Sequence, residues 1–173
     1  MIMPRGSNQL LLPASQLFIG FTLAVGLGVH LLPLGRVPAM PDLLALALVF
    51  WNVHQPRRVG VGLAFVFGLL VDVHQGALLG QHALAYTLLS FGAIAMQRRL
   101  LWFGVFEQAL HVLPVFAVAH AVMLLVALLA GGMFPGWWTL AAPLLQAALW
   151  PLAVMLLLAP QRRAPDPDQN RPL

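Results

Sequence analysis

The chain contains no cysteine. Disulfides, thiolate metal ligands and thiol redox chemistry are excluded together. It contains no lysine either, and all nine basic residues are arginine. Charge of either sign is scarce. Charged residues make up 8% of the chain, where a soluble domain carries about 25%. Only five residues are acidic, so the net charge of +4 reflects missing acids. No stretch interleaves aromatic and basic side chains in the manner of a nucleic-acid module. The excess charge points instead to anionic lipid headgroups.

Catalytic patterns are missing as well. There is no HExxH pair, and Asp42, Asp72 and Glu107 are scattered along the chain. Of the three serines only Ser90 lies within a span, and no nucleophile elbow surrounds it. Gly60-Val61-Gly62 lacks the preceding strand and the third glycine of a dinucleotide fingerprint, and there is no phosphate-binding loop. His30, His74 and His82 with Asp72 offer zinc donors, but their spacing matches no usual ligand pattern, so no metal and no cofactor is expected. His111 and His120 read as buried side chains bonded to backbone carbonyls.

What the chain has is apolar length. Hydrophobic residues make up 61% of its 173 positions. At ~20 residues per span this length holds about six helices with short connections. The expected architecture is an all-α, polytopic membrane domain over residues 1–159, with a disordered, proline-rich polar tail over 160–173. The runs are Ser15–Leu34, Leu43–Val53, Val59–Val73, Gln81–Gln97, Leu100–Ala130 and Thr139–Leu158. A secretory signal competes for the first run, because Val37-Pro38-Ala39 loosely resembles a cleavage site; the run's length and its successors favour a span. The second and third runs are short and fit either full spans or a shallow hairpin. The fifth is long, so its first turns should lie along the membrane surface at Trp102 and Phe103, with Glu107 near Arg98 or Arg99. Six spans put eight arginines on the side of both termini and leave Arg36 alone opposite, which predicts cytoplasmic termini.

One stretch concentrates the candidate interaction residues. Gly60, Ala64, Gly68 and Asp72 recur every four residues, one face of a helix. Small residues there admit a close neighbour, and a carboxylate at the end of such a stripe needs a partner. Asp72 reads as a boundary residue that ends its span, as an ion pair with Arg36, as a charge met by another protein, or as a protonated carboxyl. Gly76 and Gly80 supply a tight connection. Asp42, after Pro41, reads as a helix cap, with Arg36 as an alternative partner.

These residues carry a resemblance. Pro41-Asp42-Leu43-Leu44, Arg57-Arg58-Val59-Gly60, Phe67-Gly68-Leu69-Leu70-Val71-Asp72 and the segment from Gly76 to Tyr86 resemble the bacterial rod shape-determining protein MreD family. The resemblance covers residues 40–90. It implies a non-catalytic scaffold of the bacterial inner membrane, in the machinery of cell elongation and peptidoglycan synthesis. The implied partners are MreC and, through it, MreB and the peptidoglycan polymerase and transpeptidase. The implied fold is similar to the substrate-binding subunits of energy-coupling-factor transporters. That likeness supplies an alternative function, a small-molecule-binding membrane subunit with Gln81, His82, Tyr86, Gln97, Gln108 and His111 as lining residues.

Overall fold

Apolar runs broken by proline and glycine become helices joined by short turns. The computed structural model describes residues 14–32 and 40–161. The helices are α1 (Gln16–Leu31), α2 (Leu43–His54), α3 (Gly60–Gln75), α4 (Gln81–Leu100), α5 (Val105–Leu129) and α6 (Ala141–Leu158). Short 3-10 turns, Trp137–Leu140 and Ala159–Gln161, extend α6 at both ends. There is no strand among the described residues. Val105–Leu129 and Trp137–Gln161 are each long and apolar enough to cross a membrane.

The core is built around α2. Every residue from Leu44 to Val53 is buried. Its composition explains this, since a helix apolar on all sides has no face to give to water. Twelve residues span ~18 Å, well short of a bilayer's hydrocarbon core. Enclosure by α1, α4 and α6 replaces lipid as its solvent.

Apolar surfaces do not select partners inside lipid, so polar groups fix the register between helices. The Trp51 indole N–H donates to Thr22 Oγ1 at 2.9 Å and ties α2 to α1. The Asn52 amide donates to Ser90 Oγ at 3.0 Å and ties α2 to α4. Gln146 of α6 donates to the Asp42 carbonyl at 3.0 Å. Trp150 donates to Gln108 Oε1 at 3.1 Å, between α6 and α5. Gln81 donates to the Met123 carbonyl at 3.2 Å, between α4 and α5. Arg58 reaches the Ala14 carbonyl, so α1 begins beside the α2–α3 turn. Successive helices therefore alternate in direction. The α2–α3 turn with Arg57 and Arg58 and the end of α4 with Arg98 and Arg99 lie at one end, and the turn from Gly76 to Gly80 lies at the other.

The expected runs are adjusted in two places. The long fifth run is split. Its first residues end α4 at Leu100 and form a turn, and α5 starts only at Val105. The cause is local, because the Gly104 N–H donates to Glu107 Oε2 at 3.2 Å and opens a new helix there. That use of Glu107 replaces the expected contact with Arg98 or Arg99, and no arginine ion pair occurs among the described residues. The polar tail was expected from residue 160, but the ordered turn runs on to Gln161, which is buried. Residues 162–173 and Arg36 lie outside the described residues.

The closest helix contact is between α3 and α4, along the small-residue stripe. Ala64, Gly68 and Asp72 are buried there, and Gly60 is half-buried at the start of α3. A Cβ on Gly68 would stand 2.5 Å from the Ala83 nitrogen and 2.7 Å from the His82 carbonyl carbon. These are backbone atoms and cannot swing aside. Gly62, on the exposed side of the same helix, has nothing within 4 Å. Gly68→Ala should therefore destabilise the detergent-purified protein by about 1–3 kcal/mol, the range for overpacking. Gly62→Ala should cost nothing. Thermal unfolding of the two variants beside the parent checks the contrast, and equal melting temperatures would refute the close approach.

Candidate functional site

At the end of the bundle away from the paired arginines, two carboxylates serve as caps for helices. The α3–α4 turn shows how. Gly76 and Gly80 both take positive φ, +60° and +103°, which lets the chain reverse within five residues. Glycine at the N-cap of α4 carries no side-chain acceptor, so the amides of the first turn need one from elsewhere. Asp72, eight residues earlier and 1% exposed, supplies it.

All four leading amides of α4 are accounted for. Asp72 Oδ2 accepts from Gly80 N at 2.9 Å and from Ala83 N at 3.3 Å. Asp72 Oδ1 accepts from His82 N at 2.8 Å. The Gln81 amide finds the Leu78 carbonyl at 3.0 Å. Oδ1 also accepts from the His82 ring at 2.8 Å. A carboxylate in this setting only accepts, so His82 Nδ1 carries the hydrogen. The carbonyl of Asp72 meanwhile accepts from the Gly76 and Ala77 amides and closes α3. One residue ends one helix and begins the next.

Asp42 repeats the arrangement on α2. Its Oδ1 accepts from Ala45 N at 3.0 Å and lies 3.6 Å from His30 Nδ1. Its Oδ2 accepts from the Tyr86 hydroxyl. His30 Nε2 lies 2.6 Å from the Gln75 amide, which links α1 to α3. The two units adjoin, with the rings of His30 and His82 centred 6.0 Å apart and His82 and Tyr86 also 6.0 Å apart. Favourable charge at a helix start accounts for both aspartates.

Beside this clasp opens a cleft of about 730 Å³. Its polar lining includes His30, Asp42, Gln81, His82, His120 and Thr139. Methionines at 40, 123 and 133 line the apolar part. No cluster of three metal-ligating side chains forms among the described residues.

The structure thus brings Asp42, Asp72, Gly68, Gly76 and Gly80 to one end, with Gly60 and Ala64 further down α3. For Asp72 the sequence offered Arg36, a partner chain or a simple boundary. Arg36 lies outside the described residues, and the acceptor positions of Asp72 are filled by α4. Of the expected pocket residues, Gln81 and His82 line the cleft. Tyr86 is buried against Asp42, and Gln108 is engaged by Trp150. His111 and His120 bond the carbonyls of Glu107 and Phe116, as their sequence context implied, but both are half-buried rather than buried. The roles of Gln146, Asn52 and Trp51 went unread, although each is a polar group isolated in an apolar run. A further signal was available at Gly80, since an N-cap without a side chain must borrow an acceptor.

Fold and site define a class, a helical membrane protein whose ionisable groups hold helices together. A family model described as rod shape-determining protein MreD matches residues 6–160. The chain belongs to that family, and it is a rod shape-determining membrane protein. The rod shape-determining protein MreD of Haemophilus influenzae (strain ATCC 51907 / DSM 11121 / KW20 / Rd) is similar, at 27% identity over 135 residues. That match covers 76% of this chain and 81% of the relative. No solved structure gives a significant match.

Asparagine distinguishes the two caps. Backbone amides cannot reverse their polarity, and both Asp72 oxygens face at least one. Asp72→Asn therefore sets an N–H against an N–H whichever way the amide turns, and should cost about 1–3 kcal/mol. At Asp42 the Tyr86 hydroxyl can turn and accept, so Asp42→Asn should lose less than about 1 kcal/mol. Denaturation midpoints of the purified variants test this order, and an equal or inverted pair would refute it.

Proposed function

We propose that the chain is a non-catalytic scaffold of the bacterial inner membrane that crosses it six times. In this reading it holds MreC and, through it, positions MreB and the peptidoglycan polymerase and transpeptidase. The observation that carries the proposal is the family match over residues 6–160. The interior supports it, since Asp72, Asp42, Tyr86 and Gln146 make bonds that join one helix to another. The outward faces are apolar, including Phe21 of α1, Val66 and Leu70 of α3, and Leu125 of α5. Such faces suit lipid and partner helices alike.

Six crossings are supported by the alternation of helix direction, and the burial of α2 supports its inclusion despite its length. The arginines at one end support cytoplasmic termini. The likeness to energy-coupling-factor substrate-binding subunits also belongs to this reading. The cleft of about 730 Å³ favours, as a second reading, a membrane subunit that binds a small molecule.

Absence of cysteine makes single-cysteine labelling clean. Arg57→Cys and Met133→Cys, both at exposed positions, should react with impermeant maleimide from opposite faces of the membrane. Reaction from the same face would refute the six-crossing topology. The scaffold itself is tested by recovery of MreC with the tagged chain in mild detergent. Recovery of transporter subunits in its place would favour the second reading.

A further inference from the structure

The cleft beside the clasp has two unlike parts. One part is polar and rich in acceptors. His82 Nδ1 and His120 Nδ1 bond an aspartate oxygen and the Phe116 carbonyl, so both nitrogens carry hydrogen. In the neutral rings Nε2 is then an acceptor. The Gln81 amide nitrogen is committed to the Met123 carbonyl, which leaves its carbonyl oxygen as an acceptor too. The Thr139 hydroxyl oxygen is shielded from solvent and has no bonding partner among the described residues. No lysine or arginine is among the described residues that line the cleft. Among the described residues this lining suits a head group that donates hydrogen bonds, and it brings no arginine or lysine to a phosphate or carboxylate.

The other part is apolar and adaptable. Met40, Met123 and Met133 join Leu124 and Val29, and methionine accommodates irregular alkyl shapes. The cleft also has a definite depth. It reaches from Pro135, in the α5–α6 connection, down α5 to His120. Trp137 and Trp138, 79% and 77% exposed, follow that connection, and such pairs mark the boundary between lipid and water. A polar pocket with an apolar wall at that level matches an amphiphile entering from the membrane.

We propose that this cleft binds one membrane amphiphile with an uncharged, hydroxyl-bearing head, its hydroxyls on His82, His120 and Gln81 and its chain along the methionine wall. The proposal does not rest on the scaffold reading and concerns occupancy alone.

The test is photolabelling of the full chain in phosphatidylcholine nanodiscs. The probe is a monoacylglycerol with a diazirine in its chain, and the control is a diazirine fatty acid of equal length. The expected result is labelling of Met123, Leu124 or Met133 that saturates and is competed by unlabelled monoacylglycerol. The fatty acid should label these positions weakly. Gln81→Ala and His120→Phe should each reduce cleft labelling about fivefold, the loss of roughly one hydrogen bond. Melting temperature identifies any variant that fails to fold, and the selectivity of the parent protein decides the matter without the variants. Equal labelling by both probes, absence of saturation, or labelling confined to the outward-facing Val118 and Leu125 would overturn the proposal. Equal competition by free glycerol would overturn its amphiphile component.

Discussion

The Asp72 carboxylate accepts the amides of Gly80, His82 and Ala83, and the rest of the bundle depends on that junction. Backbone amides buried in protein have no water to turn to, so the first turn of a buried helix must find acceptors in the protein. Here the acceptor comes from the preceding helix. That choice locks α3 to α4 at a fixed height, and the height brings Gly68 against the backbone of Ala83. Cap and close approach reinforce one another. A side chain at 68 would lift α4 away from the carboxylate, and a lost carboxylate would leave three amides without partners.

The same device, used again at Asp42, gathers helices distant in sequence. α1 arrives through His30, α4 through Tyr86 and α6 through Gln146. Burial of ionisable groups usually signals chemistry at that place. Here the donors that surround both aspartates leave them little freedom to act on a substrate. His82 and His120 differ, since each ring uses Nδ1 to hold its place and leaves Nε2 without a partner among the described residues. Structural and recognition roles therefore divide between the two nitrogens of a single ring.

Much of the fold was legible because apolar length and proline or glycine breaks are local signals. The helices fall close to their expected runs. Asp42 was legible as a cap for the same reason, because Pro41-Asp42 announces a helix start from within three residues. Asp72 was only half legible. Its isolation on a small-residue stripe marked it, but its partners lie across a turn whose geometry depends on left-handed glycines. The fifth run misled because hydropathy has no term for the Gly104–Glu107 cap that divides it. Arg36 drew attention as a lone charge opposite eight others, a pattern that bears on topology and says nothing about contact. The pairing of Gln146 with the Asp42 carbonyl, 104 residues apart, has no local signature at all.

Complete enclosure of α2 also has a consequence for the order of synthesis. A ribosome delivers α2 well before α4 and α6, two of the three helices that surround it. Its Asn52 amide awaits a serine 38 residues downstream. Until then α1 is the one surrounding helix of its own chain available to cover a helix of ~18 Å. The folding of this bundle is thus closed by its last helix, and a chain truncated before α6 leaves its own centre open.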